Sequence, residues 1–325
     1  MPQHFLKCSR ARTLSIRQVA RMDEAAARDL FQKLRWPDRD GEPECPHCGH
    51  GRCYTIRTRN TFKCASCRRG FSVTSGTIFH SHKLKLRDYL LVIALFMNAV
   101  KGVSALQISR DVDISYKAAF VLLHKLREAV DDARADMKVR GEVEIDGAYF
   151  GGHRRPANQG REGARPAPKS EKRCILAAVS RTGGTVTAVV SSENGKDVLE
   201  FVRRRVGQAD TVYADEHPSY DALHARFEMK RINHRWSYSE NGANTNGAES
   251  FFSRMRRGEI GQYHRPSGRY LDRYAAEMAY RSDRRRVDNG AVVYEVTEMA
   301  LAHPMSRTWK GYWQKRAPGH HATAA

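Results

Sequence analysis

The chain has 325 residues, 41% of them hydrophobic and 9% aromatic, which excludes a disordered chain and is length enough for two or three cores rather than one. Against 36 Asp and Glu stand 56 Lys and Arg, a formal charge of +20. That excess is costly as self-repulsion unless a polyanion neutralises it, so nucleic acid is the expected partner. The longest apolar stretch, residues 89–100, is too short to cross a bilayer, and the first fifteen residues lack the apolar run of a secretory signal. The expected location is therefore the cytoplasm, with the nucleoid, and no membrane partner is expected.

In chain order, residues 14–34 carry apolar positions at helical spacing and meet Trp36-Pro37, a helix stop, so 1–41 reads as a helical lead-in. The text then changes to short runs of Cys, Gly, β-branched and aromatic residues, a compact module over 42–80. Within it, Cys45-Pro-His-Cys48 and Cys64-Ala-Ser-Cys67 are separated by residues 49–63, the spacing of a four-cysteine zinc ribbon. Two intervening residues let both thiolates of one turn reach a tetrahedral ion, and four thiolates leave no open catalytic position. His47, His50 and Cys53 lie close enough to compete as ligands, while Cys8 and Cys174 have no assigned role.

Residues 84–139 return to helical periodicity with breaks at Gly102 and at 113–115. A short helix, a tight turn and a longer helix suit a helix-turn-helix entering a major groove, and equally a small bundle linking two domains. From 140 to 290 the pattern is mixed α/β: VEIDGAYF, RCILAAVS, TVTAVVSS and TVYAD read as strands, and GKDVLEFVRRRV as a helix. The Gly-, Pro- and Arg-rich stretch 151–172 reads as a loop facing substrate phosphate or as a solvated linker. Residues 291–325 read as a C-terminal tail.

Three acids fall on these elements. Asp146 sits inside the first strand, Asp215 ends the fourth, and Glu249 lies on a helix that Asn244 would cap and whose apolar side holds Phe251, Phe252 and Met255. Singly, each has a bland reading: a hairpin residue before Gly147, a helix N-cap, a surface charge. Arg256, two helical turns beyond Glu249, projects on the same side and can grip a phosphate.

The separation of Asp215 and Glu249, together with the ordered blocks VEIDGAYFGG, YADEHPSY, INHRWSYS, NTNGAESFFSRMRRGEIGQYH, RYAAEMAYRSDRRR and WKGYW behind a zinc ribbon, resembles the bacterial insertion-sequence transposases of the DDE type. The resemblance covers about residues 20–315. It implies an RNase H-like fold with a mixed five-stranded sheet and flanking helices, cleavage at the element ends and attack of the freed 3′ hydroxyl on target DNA. It further implies two Mg²⁺ or Mn²⁺ ions, with Asp146 bridging both and Asp215 and Glu249 completing one site each, hard oxygen ligands suiting such ions. Asn246, one turn before Glu249, is the alternative third ligand. Arg254, Arg256, Arg257 and His264, and more weakly the run 281–286, are the candidate DNA contacts. Terminal inverted repeats and target DNA are the implied partners, and a homo-oligomer, at least a dimer, the implied assembly. Competing functions are a DNA-binding regulator with a decayed catalytic domain and a structure-specific nuclease.

Overall fold

The computed structural model describes residues 5–152, 172–232, 244–264 and 266–314. In chain order its elements are α1 (Ile16–Arg21), α2 (Glu24–Arg35), β1 (Cys53–Ile56), β2 (Thr61–Cys64), β3 (Gly70–Phe71), α3 (Leu86–Asn98), α4 (Ala105–Asp111) and α5 (Tyr116–Ala133). There follow β4 (Val139–Gly151), β5 (Lys172–Ser180), β6 (Thr185–Val190), α6 (Gly195–Arg205), β7 (Val206–Asp215), β8 (Met229–Ile232), α7 (Asn246–Gly258), α8 (Leu271–Asp283) and α9 (Asn289–Ala302). They form two units, one of 1–133 with 284–325, the other of 134–283.

In the first unit the lead-in is two helices. Ser15 and Gln18 form a capping box that opens α1, and Asp23 accepts from the Ala26 N–H to open α2, so the chain restarts at 23 rather than continuing. α3 has no cap of its own; the Glu24 carboxylate accepts from the Leu86 and Arg87 N–H groups at 2.8 and 3.2 Å. β1, β2 and β3 make an antiparallel ribbon. Trp36 packs edge-on against Phe62, and Phe62 against Phe71. α4 and α5, joined by a tight turn, have the short-then-long helix-turn-helix pattern. α5 buries Ala119, Leu122, Leu123, Leu126, Ala129 and Val130 and leaves its first residues, Tyr116 and Lys117, exposed. α9 belongs to this unit and packs against α2, α3 and α5, so half of the stretch 289–302 is core rather than tail, and Trp309 stacks on His124 at 4.5 Å. Among the described residues no helix is long and apolar enough to cross a membrane.

The second unit is a five-stranded sheet in the order β6-β5-β4-β7-β8, with β6, β5 and β4 antiparallel and β4, β7 and β8 parallel. Three antiparallel strands continued by two parallel ones, with helices on both faces, is the RNase H-like arrangement. Strand alternation sorts the core. Val143, Ile145, Leu176, Val212 and Ala214 face Val198, Phe201 and Val202 of α6. Ala148, Phe150, Ile175 and Ala177 face Phe251, Phe252 and Met255 of α7 and Met278 of α8. By the same alternation Glu144 and Asp146 of β4, and Asp215 of β7, stand on the α7 face. β8 is the fifth strand, a four-residue run, Met-Lys-Arg-Ile, with no residue-level expectation in the sequence. Most of the loop 151–172 and the INHRWSYS block lie outside the described residues.

Candidate active site and thiolate module

The ribbon brings its four cysteines together. Sγ atoms of Cys45 and Cys67 are 3.6 Å apart, as are those of Cys48 and Cys64, and all four lie within 4.8 Å of one another. A tetrahedral zinc with bonds of about 2.3 Å sets thiolates about 3.8 Å apart, so the donor set fits the ion. Two knuckles shape it: the Cys45 N–H donates to the His50 carbonyl and the Cys64 N–H to that of Arg69. Burial opposes ionisation of Cys64, but N–H groups of Cys67 and Ser66 aimed at its sulfur bring its pKa down to about 6. Cys53 stands outside the group, its thiol pushed up by burial and by the neighbouring sulfurs.

In the other unit, β4 and β7 are paired in parallel with Glu144 opposite Tyr213. Two residues farther along each strand are Asp146 and Asp215, at one level and on one face. Strands lie about 4.8 Å apart, so their side chains share a small volume where β7 ends beside the middle of β4. Asp146 is pushed up to about 7, first by burial; its own bond from the Gly147 N–H (2.7 Å) opposes this, and the charges of Asp215, Glu193 and Glu249 reinforce it. Both of the other expected acids therefore act on Asp146. The oxygens of the three are not all within 4.8 Å, in keeping with mutual repulsion of like charges. Asp215 is fixed by its neighbours: Oδ1 accepts from the His217 N–H at 3.0 Å, and Arg231 of β8 donates to the Asp215 and His217 carbonyls. The cap of the following 3-10 turn is His217, not Asp215.

Glu249 is carried by α7, and α7 is held by a residue the sequence did not single out. Glu144, 3% exposed, accepts from the Gly247 and Ala248 N–H groups at 2.6 and 3.1 Å, and from Arg181 Nε at 2.9 Å. A carboxylate at the first turn satisfies two orphan donors and opposes the helix dipole. Gly247 permits this approach, since a Cβ there would lie 2.7 Å from Glu144 Oε2. Arg181 also donates to the Asn244 carbonyl at 3.0 Å and lies 3.7 Å over the Tyr213 ring, whose hydroxyl donates to Glu142. Thr245 and Glu249 are bonded side chain to side chain at 3.3 Å, and Asn246 is exposed at the first position of α7.

Glu193 is a second residue the sequence did not disclose. It lies in the turn between β6 and α6, accepts from the Tyr220 hydroxyl, and covers Gly147 so closely that a Cβ there would sit 2.5 Å from Oε1. The turn text SSENG reads only as a loop, and its proximity to Asp146 is a product of the fold. Cys174, buried on β5, is pushed up to about 12 by burial and by Glu193 and Asp146, which keeps it a thiol.

The candidate DNA contacts divide. Arg256 and Arg257 are exposed, Arg256 over the Phe150 ring at 5.4 Å, and His264 is exposed just beyond α7. Arg254 is turned inward, donating to Ser250 and Ser282 at 2.7 and 2.6 Å. Of the 281–286 run, Arg281 is buried and paired with Glu277 at 2.8 Å, because a core arginine needs a charge partner; it is not a DNA contact.

In chain order a cysteine ribbon precedes an RNase H-like sheet that carries carboxylates on neighbouring strands. Residues 138–283 match the ISXO2-like transposase domain, and residues 22–70 match the transposase zinc-ribbon domain. The chain thus carries both domains of an insertion-sequence transposase. It is 24% identical over 217 residues, 62% of this chain and 70% of the other, to an uncharacterized protein in transposable element ISH50 of Halobacterium salinarum. Similar solved structures include the Mos1 strand transfer complex (12% identity, 71% of this chain, 78% of that chain, TM-score 0.28). The Mos1 paired-end complex with left transposon end is another (12%, 64% and 78%, TM-score 0.25). The assignment rests on the family matches and not on these slight structural likenesses.

Proposed function

We propose that this transposase cuts the ends of its own element and joins them to target DNA at a site built from Asp146, Asp215 and Glu249. The observation that supports it best is that Asp146 and Asp215 each stand two residues beyond the Glu144–Tyr213 pair of two parallel strands, with Glu249 in the first turn of α7 and its charge felt at Asp146. Three carboxylates in one field, with Asp146 held near 7, form a site that a divalent cation would relieve. Bound there, Mg²⁺ or Mn²⁺ would activate the attacking oxygen and neutralise the leaving one. The residues do the rest: the acids fix where charge is compensated, Arg231 holds the Asp215 turn, and Glu144 sets the height of α7. Arg256 and Arg257, exposed on α7, would grip flanking phosphates. In the first step water opens a phosphodiester and frees a 3′ hydroxyl; in the second that hydroxyl forms a new P–O bond as one in the target breaks. Zinc held by Cys45, Cys48, Cys64 and Cys67 would order the ribbon, and α4 with α5 would read the terminal repeats, in an assembly of at least two chains.

The test is cleavage and strand transfer on intact and pre-nicked element ends with Mg²⁺ or Mn²⁺. Asp146→Ala, Asp215→Ala and Glu249→Ala should each abolish both reactions while a gel shift shows end binding retained, because metal-held charge compensation acts in the transition state. Cleavage without joining in the unaltered chain would make it a nuclease, and full joining by Asp146→Ala would refute the acid site.

A further inference from the structure

A second group of metal-ligating side chains lies in the unit that contains the ribbon and shares no residue with either site. Glu128 and Asp132 lie four residues apart on α5 and so share one face. His303 follows α9 directly. One ligand atom from each of the three lies within 4.8 Å of the others.

Three features mark the group as a site rather than a surface ion pair. Glu128 is 6% exposed, and its Oε2 is buried without any hydrogen-bond partner. An uncompensated carboxylate oxygen in the interior is costly and calls for a positive charge. Lys125, one turn earlier, feels the charge of Glu128 and is itself lowered by burial, but no donor reaches Oε2. Next, His303 is oriented as a ligand: Nδ1 is 2.7 Å from the Pro304 carbonyl, which fixes that nitrogen as donor and turns Nε2 toward Asp132 Oδ2 at 2.7 Å. A histidine whose far nitrogen donates to a carbonyl is the usual arrangement behind a metal ligand. Its backbone is fixed too, the His303 carbonyl accepting from the Ile78 N–H and Pro304 bridging to Thr77. Finally, a cavity of 610 Å³ lined by Leu34, Arg35, Ala129, Asp132, Met299 and His303 gives an ion and its waters a way in.

We infer that Glu128, Asp132 and His303 form a second divalent-metal site, taking zinc or a similar imidazole-tolerant ion and tying α5 to the end of α9. Two carboxylates and a neutral imidazole balance a doubly charged ion, and a nitrogen ligand selects zinc over magnesium or calcium. With bonds of about 2.0–2.2 Å, ligand atoms stand roughly 3.3 Å apart. The His303–Asp132 contact therefore opens by only about 0.6 Å on binding. Exposed Asp132 leaves room for water in the remaining position, so the site is structural in placement and open in coordination.

The experiment is zinc content by mass spectrometry of the full chain after zinc loading and dialysis. An Asp146→Asn/Asp215→Asn background removes binding at the acidic site. Two equivalents are expected, one in the ribbon and one here, falling to one in Glu128→Gln, Asp132→Asn and His303→Gln. With Co²⁺ instead, the thiolate charge-transfer band of the ribbon should persist in every variant while the weaker visible bands of the second equivalent disappear. Asp132 is exposed, so Asp132→Asn keeps the test informative if the buried substitutions fail to fold. A single equivalent in the parent, or two retained in the folded variants, overturns the site.

Discussion

The clamp on α7 gives the most direct quantitative prediction. Glu144→Ala removes the acceptor for the Gly247 and Ala248 N–H groups and the closer carboxylate partner of Arg181. Losing a charged acceptor at a helix start costs about 1–2 kcal/mol. Arg181, 25% exposed, keeps Glu142 only at 3.8 Å, and losing its charge-assisted bond costs about 1–2 kcal/mol more. The total is about 2–4 kcal/mol, whereas Glu144→Gln, which keeps an acceptor and the volume, costs about 1–2 kcal/mol. Urea unfolding measures the loss, and hydrogen exchange locates it: the Gly247 and Ala248 amides should lose protection before those of β5. If Glu144→Ala falls within about 0.5 kcal/mol of the unaltered chain, Glu144 does not hold the helix.

Gly147→Ala places a methyl group against the Glu193 carboxylate and should destabilise by about 1–3 kcal/mol, and Glu193→Ala should restore most of it in a double-mutant cycle. Asp146 is raised from 3.8 to about 7, so without a catalytic cation the fold binds a proton that the unfolded chain has lost, and stability falls as pH rises from about 4 to about 7. Asp146→Asn should then melt higher than the unaltered chain at pH 8 in magnesium-free buffer, with the gap closing by pH 4. Arg256→Gln should weaken DNA binding and lower the salt slope by about one, while Arg254→Gln should mainly lower the melting temperature, since it serves Ser250 and Ser282.

What could be read without the structure was local. Cysteine spacing announces a metal knuckle because two thiolates of one turn must meet one ion. The apolar runs over β4, β5 and β7 announce strands because both faces of the sheet are covered, by α6 on one side and by α7 and α8 on the other. Roles that depend on distant partners were not legible. Glu144 looks like any strand acid until α7, a hundred residues on, lays its first turn against it. Arg281 looks like one of a basic run until Glu277, which also accepts from the Tyr263 hydroxyl, pairs with it in the interior. The lead-in looked like one helical stretch because periodicity passes through Met22, and it is the capping chemistry of Asp23 that divides it.

The same clamp bears on which residue of α7 completes the acidic site. Gly247 and Ala248, the two residues held by Glu144, lie between Asn246 and Glu249, so both candidates are fixed by one anchor and differ in charge and reach. Glu249 adds to the field that raises Asp146, and its longer side chain is steadied by Thr245; a neutral Asn246 does neither. If the site works by gathering negative charge around cations, Glu249→Gln should lower the Asp146 pKa, bring its carbon-13 carboxyl titration toward the usual range, and abolish Mg²⁺-dependent cleavage while end binding stays. Asn246→Ala should leave the titration in place and reduce cleavage only in part. Loss of cleavage in Asn246→Ala, with activity retained by Glu249→Gln, would move the third ligand one turn toward the helix start and leave Glu249 as a charge that merely tunes Asp146.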